Sequence, residues 1–219
     1  MKKQLILLAT SKKYGRYCVA GADVQSGALI RLITSNSDAH YAIEPAQMTY
    51  ADRTLAKKLD LVEVECTDRS ISYYQSENYV LKQNAVWKKL RESSIEEVLQ
   101  VHPANQSAWV FYDRERKLHQ SKFMDFTPRE IKSLLFIQPE SCALLIQQSW
   151  ERRQAMLAFV YKGVEYEPFP ITDFEYLAAV ESVAEGTHKL PKSPHLLVSV
   201  GECFEQDKCH YKIAAGVFP

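Results

Sequence analysis

The sequence predicts a mainly β chain with a few helices (α+β), arranged as small barrels rather than a parallel α/β sheet. Short apolar stretches separated by turn signals carry that reading. So does the rarity of helical signal, which is limited to one insert and one later segment after Thr172-Asp173. The third observation is that the two ends look like variants of one unit. Leu5-Ile6-Leu7-Leu8-Ala9-Thr10 runs through a polar loop into Tyr17-Cys18-Val19-Ala20-Gly21-Ala22-Asp23-Val24. Near the end, Leu196-Leu197-Val198-Ser199-Val200-Gly201 runs through another into Tyr211-Lys212-Ile213-Ala214-Ala215-Gly216-Val217. Repeated units usually share a fold. A chain of 219 residues fits one large domain or two of about 100 each.

Taken in order, the first two apolar runs are strands, and Ser26-Gly27 turns the chain into a third at Gly27 to Ile33. Thr34 to Thr54 is polar without clear period and reads as a long connection. Leu59 to Cys66 alternates apolar and acidic side chains, the signal of a strand with one face in water. Glu77 to Leu81 is a further short strand. Val86, Trp87 and Leu90 share one face of a helical segment. Ser93-Ser94-Ile95-Glu96-Glu97 opens a second helix with a capping serine. That helix ends near Val101, because Pro103 disfavours helical geometry at His102.

Beyond this insert the chain reads as β again: Ser133 to Ile137, Cys142 to Gln147, and Met156 to Tyr161. A tight turn at Lys162-Gly163 leads into Val164 to Phe169. A helix follows Thr172-Asp173 through Ala184, closed by Gly186. A proline-bearing loop then leads into the last strand pair. The insert marks the boundary between a first module, residues 1–104, and a second, residues 105–219. The long excursion before the final strands leaves open that they pair across it.

Several segments resemble the dual OB-containing domain family. These are Leu7-Leu8-Ala9-Thr10-Ser11-Lys12 through Cys18-Val19-Ala20-Gly21, then Gly27 through Ile30-Arg31-Leu32, Tyr50-Ala51-Asp52, Tyr74-Gln75-Ser76-Glu77-Asn78 and Ile171-Thr172-Asp173. The closing Gly201-Glu202-Cys203-Phe204 and Tyr211 to Gly216 belong with them. The resemblance spans nearly the whole chain, though Phe174 stands where proline is expected after Thr-Asp. It implies two OB-like barrels packed together with a helical insert, and DNA or RNA binding in a bacterial defence or regulatory system. It supplies no catalytic residues.

Composition bounds the function. Lys and Arg number 27 and Asp and Glu 27, so any nucleic-acid binding must come from local clustering of charge. Five scattered cysteines fit reduced thiols better than a disulfide framework. No apolar run reaches the roughly 18 residues that cross a bilayer, and the start lacks a secretory cleavage pattern. These features predict a cytoplasmic protein without membrane contact.

The leading constellation is Ser11-Lys12-Lys13-Tyr14-Gly15-Arg16-Tyr17, whose Lys12, Lys13 and Arg16 neutralise phosphate while Tyr14 and Tyr17 stack on bases. Its bland counterpart is a solvated hairpin loop with a tyrosine packed on its own barrel. Arg31, alternating with Ile30 and Leu32, points away from their buried side and either extends the basic surface or pairs with a carboxylate. A second patch gathers Trp150, Arg152, Arg153, Lys162 and Tyr166, and Lys212 beside Tyr211 continues it.

No motif calls for a cofactor. Cys203, Cys209 and His210 have zinc-ligand chemistry without the usual spacing. Glu63 and Glu65 share a strand face and offer a divalent-metal nuclease reading, against the simpler one of a solvated strand. The predicted function is therefore non-enzymatic nucleic-acid binding to single-stranded or structured substrate. A protein-interaction adaptor is the alternative and the nuclease a weaker one.

Overall fold

In the computed structural model, the first apolar run lies inside one long strand, β1 (Lys2–Lys13). The structure describes residues 1–13, 15–127, 130–148 and 152–219, with Lys13 described by its backbone alone. The chain divides into two compact units, Met1–Pro103 and Ala104–Pro219. Strand accounts for 48% of the chain against 11% helix, so sheet pairing sets the architecture.

In the first unit β1 pairs antiparallel with β2 (Arg16–Asp23), from Lys13↔Arg16 to Leu5↔Asp23. The register shifts between Leu7 and Ala9, and a bulge of this kind bends a strand. Ahead of the bend, Lys2 to Ile6 pair with β4 (Asp60–Arg69), so one strand serves two neighbours. β3 (Leu29–Ile33) follows β2 and lies parallel to β5 (Asn78–Leu81), which returns to β4. The circuit β1-β2-β3-β5-β4-β1 is closed, a five-stranded OB-type barrel. Leu5, Leu7, Val19, Leu32, Val62 and Val64 are buried in it.

Residues 86–92 correct the sequence reading. They form no helix: β6 (Lys88–Glu92) pairs with the free edge of β4. Val86 and Leu90 are exposed, whereas Trp87 is buried. Lys-Lys-Leu-Arg-Glu carries no apolar period of its own, so an open ladder and an ion pair from Lys89 to buried Asp60 (2.8 Å) decide its conformation. The next helix forms as the sequence predicts. α1 (Ile95–Val101) starts with the Ser94 hydroxyl accepting from the Glu97 N–H, and stops before Pro103. Its end packs on the β2–β3 turn, where His102 Nδ1–H donates to the Gly27 carbonyl at 2.7 Å. Gly27 sits at φ 68°, and a Cβ there would stand 2.7 Å from the Val101 carbonyl oxygen.

The second unit opens with β7 (Lys117–His119), and β8 (Leu134–Ile137) and β9 (Ser141–Gln148) follow. β10 (Arg153–Tyr161) and β11 (Val164–Pro170) continue a meander from β9. Lys162 and Gly163, both left-handed, make the tight β10–β11 turn. α2 (Phe174–Ala179) and β12 (Gly186–Lys189) precede the hairpin of β13 (His195–Phe204) and β14 (Cys209–Phe218).

Just past β11, Ile171 bridges Ala214 of β14 in parallel; β14 pairs with β13, and β13 with β8. Only Gln138-Pro139-Glu140 separates β8 from β9, and Pro139 has no N–H to give a ladder. Counted as one strand broken at a proline, β8 and β9 give the order β8/β9-β10-β11-β14-β13-β8. The third and fifth members again run parallel. Both units therefore follow the same barrel order.

That order changes the meaning of the repeated ends. β1 and β2 are the first and second members of their barrel, whereas β13 and β14 are the fourth and fifth of theirs. The likeness is between two bulged antiparallel hairpins. Besides each other, β13 and β14 pair with β8 and β7. The helix expected through Ala184 ends at Ala179, and Gly186 begins a strand rather than closing it. Phe174 in place of proline does not prevent a helix start. Asp173 caps the helix, accepting from the Glu175 and Tyr176 N–H groups at 3.1 Å each, and binds the Val217 N–H at 2.8 Å.

Candidate nucleic-acid interface

In an OB barrel, ligands meet the outer face of the second and third strands and the loops flanking it. In the first barrel these are β2, β3, the β1–β2 turn and the β4–β5 connection. At the turn, Lys12 is exposed. The Lys13 side chain and Tyr14 lie outside the described residues. Arg16 is half-buried and its Nε donates to Glu44. That carboxylate also caps the 3-10 turn Pro45–Met48, in a capping box completed by Gln47. Tyr17 is a correction. Its ring is buried, because its strand exchanges two 2.8 Å backbone hydrogen bonds with Ile43 and is drawn under that segment.

Arg31 is a second correction. Its cross-strand partner is Ala20, on the face opposite inward-pointing Ile30 and Leu32, as the alternation predicts. Yet it is only 7% exposed, because the β4–β5 connection folds over it. Its Nη1 donates to Asn78 Oδ1 at 3.2 Å. Burial pulls the guanidinium below its ordinary pKa, against the charges of Glu77, Cys18 and Tyr74. The same connection carries rings that the sequence reading did not weigh as ligands. Tyr73 is 51% and Ile71 50% exposed, and the Tyr73 and Tyr74 rings lie 5.0 Å apart, tilted by 56°. Arg69 Nη2 holds the loop through the Ser76 carbonyl at 2.9 Å. Adjacent tyrosines in a polar stretch between two strands were the available signal.

A model of the dual OB-containing domain matches residues 3–217. The chain belongs to the dual OB-containing domain family. No curated protein and no solved structure matches it.

In this dual OB protein the residues expected to form a second patch are dispersed by burial. Arg152 is exposed, and Trp150 lies outside the described residues. Arg153 Nη2 donates to the Val180 and Val183 carbonyls at 3.0 and 2.5 Å, satisfying oxygens at and beyond the end of α2. Lys162 is exposed at its turn, with Nζ 5.8 Å from the Tyr161 ring centroid. Tyr166 points inward beside Phe159 and Phe169, and its hydroxyl accepts from the Val110 N–H. Lys212 also points inward and is 0% exposed, so it cannot continue the Tyr211 surface. The outer side of β11 presents Glu165 and Glu167, both exposed, which repel phosphate.

The carboxylates of the nuclease reading are taken by lysines: Glu63 pairs with Lys2 and Glu65 with Lys82, each at 2.8 Å. His210 is buried and its Nδ1–H donates to the Gly201 carbonyl at 2.8 Å. Among the described residues no three His, Cys, Asp or Glu side chains gather as metal ligands. Burial pushes the Cys66 and Cys142 thiols up to about 11 and about 12. No helix among the described residues is long and apolar enough to cross a membrane.

Proposed function

We propose that the first barrel binds single-stranded nucleic acid between its β1–β2 turn and its β4–β5 connection. The observation that carries this is exposed Tyr73, its ring set against half-buried Tyr74, on a loop flanking the β2–β3 face of a closed OB barrel. Lys12 and Arg16, with Lys13, supply phosphate contacts at the opposite end of β2, and flat rings stack on bases whatever their identity. Lys and Arg outnumber Asp and Glu by two in the first unit, and the second unit is acidic by the same margin. The overall neutrality therefore conceals a division of charge that favours phosphate at the first barrel.

Fluorescence anisotropy of the full chain with single- and double-stranded DNA and RNA tests the proposal. Binding to single strands should weaken steeply with salt, and the combined Lys12→Ala, Lys13→Ala, Arg16→Ala change should lower affinity at least about tenfold. No salt-sensitive binding at micromolar protein, or an unchanged affinity in that variant, rejects it. Glu165 and Glu167 favour a second reading, a protein-docking role for the second barrel. A stoichiometric protein partner retained without nucleic acid would support that role, and failure to recover one would count against it.

A further inference from the structure

The β13–β14 hairpin, the fourth and fifth members of the second barrel, carries one residue pair with no part in its core. Phe204, at the end of β13, is 57% exposed. Its ring meets Tyr211 of β14 edge-on, with centroids 5.3 Å apart and planes at 68°. β7, a strand outside the barrel circuit, adds to β14 and sets Lys117 directly across from Tyr211. Lys117 Nζ lies 5.0 Å from the Tyr211 ring centroid and the Arg116 guanidinium 5.7 Å. Arg116 Nε is buried without a hydrogen-bond partner. The two barrels thus hold an angled ring pair at the same place in the strand order, where the fourth member passes into the fifth. In both, an arginine lies 5.7 Å from a tyrosine ring of the fifth strand: Arg69 at Tyr79 and Arg116 at Tyr211.

From this arrangement we infer that Phe204 and Tyr211, flanked by Arg116 and Lys117, form a second stacking subsite for an unpaired nucleobase and its phosphate. The inference rests on the chain's proposed nucleic-acid binding and adds a contact in the other barrel. The surrounding charges favour a base over a sugar. Recognition of carbohydrate hydroxyls needs free acceptors, and the carboxylate here is occupied. Asp207 Oδ2 accepts from Lys117 Nζ at 2.9 Å and from the Tyr211 hydroxyl at 2.7 Å, and Oδ1 accepts from the Cys209 N–H at 3.1 Å. Those bonds from Lys117 and Tyr211 hold the Asp207 carboxyl down at about 2. What faces solvent is the Phe204 ring beside half-buried Tyr211, with Arg116 and the Asp207-paired Lys117 against the Tyr211 ring, a combination that suits stacking and cation–π contact.

The test uses the full chain and single-stranded DNA and RNA oligonucleotides carrying one 2-aminopurine, whose fluorescence falls when the base stacks. Phe204→Ala should weaken binding about tenfold and abolish the part of the quench that survives in the Lys12→Ala, Lys13→Ala, Arg16→Ala variant. Phe204→Leu keeps apolar bulk without a flat ring and should lose as much; Tyr211→Phe keeps the ring and should lose little. If the wild type binds and Phe204→Ala and Phe204→Leu bind and quench like it, the second subsite is wrong and the first-barrel site stands. If Phe204→Ala weakens binding while the triple variant does not, the subsite stands and the first-barrel reading falls. If Phe204→Leu binds like wild type while Phe204→Ala does not, the contact is apolar bulk, as for a protein segment, and the stacking subsite is rejected. No binding by the wild type rejects both.

Discussion

Lys212→Met should change how the stability of this protein depends on pH, and the size of the change follows from where the ammonium sits. Lys212 projects into the second barrel from β14. Its Nζ donates to the Asp113 carbonyl at 2.6 Å and to Asp113 Oδ1 at 3.0 Å, and lies 5.9 Å from the Tyr166 ring centroid. Asp113 also accepts from Lys122. Burial pulls the Lys212 pKa down to about 8, with Asp113 opposing. The Asp113 carboxyl is opposed by its own burial but held below its ordinary range by Lys122 and Lys212, so it stays ionised through neutral and alkaline pH.

A lysine pKa lowered by folding means that, between about 8 and the ordinary 10.5, the unfolded chain holds a proton the folded chain has released. Stability from this group therefore rises with pH across that window. At about 1.4 kcal/mol per pH unit, the gain is about 3 kcal/mol over the whole window. Cys66 and Cys142 work the other way, since thiols raised by burial lose stability as pH climbs past 9.0. Those contributions are common to wild type and variant and cancel in their difference. Urea unfolding at a series of pH values from about 7 to about 10 measures that difference directly. Methionine fills the same volume without a charge and leaves the Asp113 carboxylate with Lys122, but it strips the Asp113 carbonyl of its 2.6 Å donor, so the variant should fall below the wild type at neutral pH. The wild type should then gain further on it as pH rises. Parallel stability curves would refute the reasoning.

Asp173→Ala should cost about 3 kcal/mol, because it strands the buried Val217 N–H and uncaps α2; a lower urea midpoint with an unchanged m-value checks it. Gly27→Ala should cost about 1–3 kcal/mol, from a left-handed φ and the 2.7 Å approach to the Val101 carbonyl, and thermal unfolding reads it. Arg31→Gln should lower stability by about 2 kcal/mol, whereas Lys12→Ala should stay within about 0.5 kcal/mol. Equal effects of those two changes on unfolding would show that Arg31 is not the buried structural cation described above.

The strands were legible because their signals are local. Alternation from Leu59 to Cys66 and the apolar runs near both ends need no partner to be read, and the Ser94 cap and Pro103 bound α1 by backbone chemistry alone. What failed was non-local. Lys88 to Glu92 became a strand because β4 offered an open edge and Asp60 a buried carboxylate, neither encoded within those five residues. Tyr17, Arg31, Tyr166 and Lys212 depart from the sequence reading for the same reason. A cation's sequence neighbours place it on a face of its strand, but only the rest of the chain decides whether that face meets water. Arg31 occupies the predicted face and is covered by the β4–β5 connection, nearly forty residues downstream at its near end. Lys212 alternates correctly with Tyr211 and turns into a barrel that supplies Asp113 from about a hundred residues upstream. Two side chains that look like phosphate contacts by type therefore act as struts. The exposed rings at Tyr73 and Phe204 lie where a strand gives way to a loop, and loop rings are released from the alternation that buries a strand's inner side. In a barrel this small, stacking surfaces belong at such connections, because the interior has no room to leave a ring unpacked.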